Sequence, residues 1–207
     1  MKVQIWPILT LAFLFCMSCD DARYPEEPSA DYAPQIPEAV DLGLSVRWAS
    51  FNLGAAAPEG YGDCFAWGET LPKGAYTLSS YKGDGNFADA ASAALGGGWR
   101  VPSYAEWNEL SKPENASWEW TRLNGIFGMK VISKVGGYEG NWIFLPAAGY
   151  RYSRSWYGFR FYGYYWASSP HPDGTEFARR VYFYSGGISG NEYGRSFYGL
   201  SIRPVCE

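Results

Sequence analysis

The sequence of 207 residues predicts an α+β fold, in which two short helices precede a strand-rich second half. An alanine-rich stretch and a capping-box sequence, both between residues 87 and 110, indicate the helices. From residue 116 onwards, short apolar stretches alternate with turns rich in Gly and Asn, as is typical of strands. Similar apolar alternation near residues 42–48 and 198–203 predicts matching end strands, whose pairing would bring the two ends of the domain together.

The first 18 residues predict a signal peptide, because Lys2 precedes an apolar stretch over residues 8–17. Residues 14–19, LFCMSC, loosely resemble a bacterial lipobox, which would make Cys19 the lipid-bearing residue. Ordinary signal cleavage nearby is the alternative. Asp20 and Asp21 look like the acidic export tag of some surface lipoproteins. We therefore expect an outer membrane lipoprotein, exposed at the cell surface and held to the membrane by its lipid anchor only.

Residues 19–38 predict an acidic, proline-rich, flexible tether, since they show no apolar period. The folded domain is expected over residues 39–207. In its first strand, Leu42, Leu44, Val46 and Trp48 alternate with small or polar residues.

Two helices are predicted next. Residues 87–95 are rich in alanine and are followed by three glycines, which favours a short helix closed at Gly96. Ser103 and Glu106 have capping-box spacing, so a second helix should begin there and run to Leu110. Trp107 and Leu110 would face the core.

The remaining chain predicts strands over residues 118–123, 129–134, 142–145, 164–168 and 177–184, a hairpin over 186–195, and a last strand over 198–203. The residues assigned to the buried scaffold are Trp48, Trp67, Trp99, Trp107, Leu145, Leu200 and Ile202.

Charge and cysteine content restrict the partners and the covalent chemistry. The net charge of -4 and the pI near 5.1 argue against nucleic acid as a partner. Cys64 and Cys206 are the only cysteines of the predicted domain. An exported compartment permits a disulfide between them, and the sequence leaves open whether it forms.

Residues 149–203 hold ten of the 17 tyrosines and seven arginines, with only three acidic residues. Tyr, Trp and Arg mixed with Ser, Gly and Asn are typical of a recognition surface. Packing of the rings in a β-rich core is the alternative. The predicted ligand-binding residues are Tyr152, Arg154, Trp156, Tyr157, Phe159, Arg160, Tyr162, His171, Asp173, Tyr182, Tyr184, Asn191, Tyr193, Arg195 and Phe197.

The sequence offers little catalytic or metal-binding chemistry. His171 is the only histidine and lies beside prolines, so a catalytic triad is not expected. No carboxylate pair has a recognisable glycosidase pattern, and no cluster of acidic residues indicates a calcium site. We therefore predict a protein that is not an enzyme and has no catalytic residue, no cofactor and no metal in its binding face.

Five motifs in order resemble the Fibrobacter succinogenes major paralogous domain, found in bacterial surface lipoproteins. They are DLGLSVRWA at residues 41–49, GGGWRVPSYAEWNEL at 96–110, LPAAGYR at 145–151, YYWASS at 164–169 and LSIRPV at 200–205. The resemblance implies a fold like that of C-type lectins and sulfatase-modifying factors. It would have a mainly antiparallel sheet, paired end strands and a long loop region that presents the ligand face. The reactive cysteine pair of the formylglycine-generating relatives is absent, so that activity is not implied.

Residues 152–197 also resemble the variable region of proteins diversified by retroelements. That resemblance implies a receptor whose substituted positions contact the ligand. Together these features predict a surface-displayed binding protein for a protein or glycan ligand. The alternative is a structural or adhesin subunit of a surface assembly that uses the same rings as a protein interface.

Overall fold

The computed structural model describes residues 34–83 and 87–207, without the side chains of Thr175, Gly190 and Asn191. The predicted signal peptide, the predicted lipid-bearing Cys19, the tether up to residue 33 and the side chain of Asn191 lie outside the described residues.

The described residues form an α+β structure of mostly antiparallel sheet with two α-helices, which confirms the predicted fold class at this coarse level. In order, the elements are β1 (Ala39–Val40), β2 (Arg47–Ala49), a 3-10 turn (Leu78–Ser80), α1 (Ala90–Leu95), α2 (Tyr104–Ser111), β3 (Ala116–Leu123), β4 (Ile126–Ser133), β5 (Trp142–Pro146), β6 (Tyr150–Tyr152), β7 (Ser155–Tyr157), β8 (Tyr162–His171), β9 (Gly174–Tyr184), β10 (Gly187–Arg195) and β11 (Val205–Cys206).

The strands form three three-stranded sheets and one hairpin. The sheets have the orders β1-β2-β11, β3-β4-β5 and β10-β9-β8, and the hairpin is β6-β7. Every pairing between these strands is antiparallel. Two isolated bridges are parallel: one between Gly149 and Gly163 connects the start of the hairpin to β8, and the other joins Tyr165 of β8 to Ser201.

The two ends of the domain pair as predicted, but through shorter strands. Val205 of β11 lies opposite Trp48 of β2. The predicted first strand over residues 42–48 is wrong in length, since residues 41–46 form bends and coil. The predicted last strand over residues 198–203 is wrong as well. Residues 199–206 are buried without interruption, so this stretch runs through the core and does not alternate between core and solvent.

Arg203 explains why the last stretch does not alternate. Its side chain is fully buried and donates hydrogen bonds to Asn52 Oδ1 (3.0 Å), to the Ala49 carbonyl (2.8 Å) and to the Phe144 carbonyl (2.6 Å). Burial lowers the pKa of Arg203 to about 10. This guanidinium therefore joins the end of β2, β5 and the loop after β2 at one point.

Both helices have the predicted starts and stops, apart from a later start of α1. Asp89 caps α1 by accepting a hydrogen bond from the Ser92 amide (2.9 Å), and Gly96 ends it with a φ of 59°. The predicted capping box of α2 is confirmed, because the Ser103 amide donates to Glu106 Oε2 (2.7 Å) and the Glu106 amide donates to Ser103 Oγ (3.3 Å).

The β8-β9-β10 sheet lies between two hydrophobic clusters. One face carries Tyr165, Val181 and Phe183 into a cluster with Trp107 of α2 and residues of β3, β4 and β5. The other face carries Trp166 and Ala178 into a second cluster. All seven predicted scaffold residues are buried, as predicted. The buried hydrophobic residues all lie between residues 42 and 206, so residues 34–207 contain the whole described core.

The two cysteines of the domain do not form the disulfide that the sequence permitted. Both belong to the described residues, and both are buried without a disulfide between them. Cys64 packs with Ala66 and Tyr76, whereas Cys206 packs with Ala49 and Trp99 in a separate cluster.

Within the described part of the chain, no helix has the length and apolar character needed to cross a membrane.

Candidate functional site

Nine exposed and half-buried rings of the C-terminal tract form one continuous network, which we call the tyrosine array. Its members are linked by ring-centroid distances of 5.1–6.5 Å. They are Tyr150, Tyr152, Tyr157, Tyr162, Tyr164, Tyr182, Tyr184, Phe197 and Tyr198.

Strand register creates the centre of the array. Tyr162 and Tyr164 of β8 lie opposite Tyr184 and Tyr182 of β9, respectively. Because side chains alternate between the faces of a strand, these four rings share one face. Tyr164 and Tyr182 are stacked at 5.6 Å, and Tyr182 and Tyr184 at 6.3 Å.

The β6-β7 hairpin and the loop after β10 extend the array. Tyr150 joins the two parts, because its ring lies 5.2 Å from Tyr164 and 5.1 Å from Tyr198. Gly149 permits this approach. Its φ is 66°, and a Cβ at this position would collide with the backbone of Phe159.

The outer rings of the array remain accessible, since Tyr152, Tyr157, Tyr162 and Tyr184 are between 37 and 43% exposed. Within the described residues, no hydroxyl of the eight array tyrosines makes a hydrogen bond to the protein. The array thus offers both ring surface and uncommitted hydroxyls, which is the combination that tyrosine contributes to binding surfaces.

One cation lies within the array. The Arg180 guanidinium is 4.8 Å from the centre of the Tyr164 ring. Burial raises the pKa of Tyr164, and the charge of Arg180 partly opposes that rise. Burial also raises the pKa of Tyr150, where the nearby Tyr198 adds to the rise and Arg180 again opposes it. The phenols of Tyr164 and Tyr150 are therefore neutral at physiological pH.

None of the predicted ligand-binding residues with a described side chain is buried, but they occupy separate places. Six of them belong to the array: Tyr152, Tyr157, Tyr162, Tyr182, Tyr184 and Phe197. Arg154 is exposed in the turn between β6 and β7, next to the array.

A second group, Trp156, Phe159 and Arg160, lies beside Tyr61 and not in the array. The Phe159 ring packs against Tyr61 (4.7 Å) and Trp156 (5.6 Å). Burial raises the pKa of Tyr61, and the Arg160 charge partly opposes the rise. These side chains hold the β6-β7 hairpin on the domain, so their positions favour a structural role.

A third group, His171, Asp173, Tyr193 and Arg195, lies at the other end of the β8-β9-β10 sheet. His171 Nδ1 accepts a hydrogen bond from the Asp173 amide (3.0 Å), and its ring lies 4.3 Å from that of Tyr193. Arg195 forms an ion pair with Glu176. A cleft of about 390 Å³ beside His171 and Phe177 belongs to this end of the sheet.

Sequence reasoning missed several residues of the array region: Tyr150, Tyr164, Arg180 and Tyr198 within or beside the array, and Phe161 next to it. The spacing of Tyr162 and Tyr164 at i and i+2 was a usable signal, because strand alternation places such residues on one face. No signal of this kind was available for Tyr150 and Tyr198, because they reach the array through the contact between the hairpin and a loop.

Phe161 is the most exposed large hydrophobic residue of the C-terminal tract, at 71%. Its turn is held by hydrogen bonds from the Phe161 and Tyr162 amides to the Gly158 carbonyl (3.0 and 2.9 Å) and from the Arg160 amide to the Ala147 carbonyl (2.8 Å). Arg160 has a φ of 69°, which costs a non-glycine residue about 1 kcal/mol. The turn therefore presents the Phe161 ring on a fixed backbone.

Several acidic side chains of the described residues have structural roles, as their hydrogen-bond partners show. Glu106 caps α2 and accepts hydrogen bonds from Arg100 (2.9 and 2.5 Å). Burial acts to raise the pKa of Glu106, but hydrogen bonds from Arg100 and Ser103 outweigh it, and the net shift is downward. In the described residues, no group of three or more His, Cys, Asp or Glu side chains is placed to hold a metal ion.

No family model, no curated protein and no solved structure matches this chain.

Proposed function

We propose that this chain is a non-enzymatic binding protein that recognises a protein or glycan ligand with its tyrosine array. The observation that carries the proposal is the continuity of nine rings on one side of the molecule, with four tyrosines more than a third exposed and no hydroxyl committed to the protein within the described residues. Rings of this kind supply contact area at a low cost in side-chain entropy.

The same proposal includes a C-type lectin-like fold. Its support is the pairing of β2 with β11, the presence of two short helices and the mainly antiparallel sheet. The array lies on β6 to β9 and the loop after β10, away from the paired end strands. A scaffold closed at its ends with a recognition face elsewhere agrees with the resemblance of the five sequence motifs.

We further propose display at the cell surface through a lipid on Cys19, and diversification of residues 152–197 by a retroelement. The lipobox-like sequence and the composition of the tract support these two steps. Labelling with a radioactive fatty acid tests the first, with Cys19→Ala as the control that should lose the label. A reverse-transcriptase gene beside this gene, with a template repeat that differs at adenines, tests the second.

The binding role is tested by removing exposed rings while preserving the core. Residues 34–207, produced as soluble protein, would be screened on glycan and surface-protein arrays. The Tyr162→Ala and Tyr184→Ala double variant should lose at least tenfold in affinity for the ligand found, because hot-spot rings contribute about 1–2 kcal/mol or more each. Its free energy of unfolding should fall by less than about 1 kcal/mol.

The control variant removes a ring that lies outside the array. Tyr193→Ala should leave the affinity for the ligand unchanged. Equal loss of affinity in the control and the double variant would place the ligand elsewhere. Loss of cooperative unfolding in the double variant would show that these rings are part of the core.

A second candidate function is that of a subunit in a surface assembly, and the exposure of Phe161 favours it. In that case the array would contact another subunit permanently. Sedimentation of residues 34–207 distinguishes the two, since a subunit should associate with itself or with a co-expressed neighbour at micromolar concentration, whereas a receptor domain should sediment as a monomer without its ligand.

A further inference from the structure

Arg180 is held within the tyrosine array by groups that offer it no hydrogen-bond acceptor. It lies opposite Trp166 of β8, and Gly194 of β10 leaves space beneath it. A Cβ at Gly194 would approach the Arg180 Cδ to 3.0 Å and the Trp166 ring to 3.2 Å. The Tyr164 ring covers the guanidinium at 4.8 Å. Apolar surfaces thus fix the position of the charge.

The donors of this guanidinium are unused. Arg180 makes no hydrogen bond to any described residue, and its Nε is buried without a partner. The nearest acid is Glu192, directly opposite on β10, but its Oε2 is 4.0 Å from Nη2, beyond hydrogen-bond distance. Buried donors without a partner are rare in folded proteins and indicate an acceptor that the protein itself does not supply.

A carboxylate is the acceptor that suits this position. A guanidinium presents parallel N–H donors that match the two oxygens of a carboxylate, and such charged pairs are stronger than neutral hydrogen bonds. The neutral phenols of Tyr164 and Tyr150, whose pKa values are raised, lie near the same charge and can donate as well. Glu192 is 39% exposed at its side chain and can move away into solvent.

The surroundings favour a protein as the source of that carboxylate. Phe161, 71% exposed on its fixed turn, offers an aromatic anchor, and a folded protein can supply the apolar pocket that such an anchor fills. Arg154, exposed in the turn next to the array, forms no ion pair with any described residue and adds a second positive charge there. Resting on the proposed function, we infer that Arg180 is the subsite at which the array binds an Asp or Glu side chain of an acidic protein partner.

Small probes test the subsite without knowledge of the partner. N-acetyl-glutamate amide carries one side-chain carboxylate, and N-acetyl-glutamine amide is its neutral isostere. In residues 34–207, titration with the glutamate probe should shift the NMR signal of Arg180 Nε–H saturably, whereas the glutamine probe should not. Glu192→Gln should tighten binding of the glutamate probe by about two- to fivefold, because it removes a competing charge.

Arg180→Gln should abolish the response of the Tyr164 and Tyr182 amides to the glutamate probe. Arg195→Gln is the control, and it should leave the response unchanged. An equal response to the neutral isostere would overturn the inference, as would weaker binding in Glu192→Gln. Glucuronate and glucose serve as sugar probes. If glucuronate binds more than ten times as tightly as the glutamate probe and glucose causes no shift, the assignment to a protein is overturned and an acidic glycan is indicated.

These outcomes are separate from the test of the proposed function. If the array binds its ligand through Tyr162 and Tyr184 and the carboxylate probes give no response, only the role of Arg180 fails. If the double tyrosine variant keeps full affinity, the proposed function fails regardless of the probes.

Discussion

Tyr164 and Tyr165 are neighbours in β8 and lie in opposite environments. Tyr164 belongs to the array, and its hydroxyl makes no hydrogen bond within the described protein. Tyr165 is fully buried, and its hydroxyl donates to the Pro146 carbonyl (2.9 Å) and accepts from Asn52 Nδ2 (3.2 Å). The same residue type is thus part of the half-exposed array on one face of the sheet and of the buried core on the other.

The arginines repeat this contrast. Arg203 in the core uses its guanidinium for three hydrogen bonds to the protein, whereas Arg180 in the array makes none to the described residues. A buried polar group must be paired or it costs stability, so core tyrosines and arginines come with acceptors and donors built around them. Unused hydrogen-bonding capacity therefore separates Tyr164 and Arg180 from Tyr165 and Arg203, although Trp48 Nε1 and Ser201 Oγ in the core also have no partner among the described residues.

The largest expected effect is the loss of Arg203. Arg203→Met would leave Asn52 Oδ1 and two carbonyls without their donor in a buried site, and should reduce the free energy of unfolding by about 3 kcal/mol or more. Arg180→Met should change it by less than about 1 kcal/mol, because no hydrogen bond to the described protein is lost. Urea unfolding of residues 34–207 measures both. A similar loss in the free energy of unfolding for the two variants would contradict the difference between core and array.

A smaller effect is expected from removing single hydroxyls. Tyr165→Phe removes two buried hydrogen bonds, while Asn52 Nδ2 keeps the Tyr61 carbonyl (2.8 Å) and the Pro146 carbonyl keeps the Ala148 amide (2.9 Å). The loss should cost about 1–3 kcal/mol, since a net hydrogen bond contributes about 0.5–1.5 kcal/mol. Tyr164→Phe should be close to neutral, because its hydroxyl has no partner in the described protein. The two variants differ from the parent by one oxygen atom each, so they form a matched pair. A cost for Tyr164→Phe equal to that of Tyr165→Phe would contradict our account of the array.

The sequence predicted most of the scaffold because local rules determine it. The capping box of Ser103 and Glu106, the glycines after α1 and the Asn-Gly turn at residues 124–125 act through neighbouring residues. The buried tryptophans followed from their size and apolar character. Strand ends were less predictable. Residues 42–46 and 198–203 both alternate in sequence, yet residues 43–46 form bends, and residues 199–203 follow a buried path in which Arg203 bonds to Asn52, Ala49 and Phe144.

The candidate site was predicted only in its general region. Strand alternation could separate Tyr164 from Tyr165 only with the register known, and a shift of one residue exchanges the faces. The array further depends on the β6-β7 hairpin lying against β8 through Gly149, which no local pattern shows. In sequence, Trp156 and Phe159 look like members of the array. In the structure, however, the two rings pack against each other, and Phe159 packs against Tyr61.

The pH dependence of the Tyr165 hydroxyl sharpens the contrast further. Burial raises the pKa of Tyr165 to about 12, with the Arg203 charge opposing the rise, whereas an unfolded tyrosine has a pKa near 10. Because the folded state favours the neutral phenol, the stability that this group contributes is fully present below pH 10 and is lost as the pH rises from 10 to 12.

The difference in free energy of unfolding between the parent protein and Tyr165→Phe should therefore narrow by about 2 kcal/mol between pH 10 and pH 12. Subtraction of the two urea-unfolding curves largely removes the titration of Arg203 and of the other tyrosines, since both proteins contain them. A difference that stays constant over this range would mean that Tyr165 ionises as easily in the folded protein as in the unfolded chain.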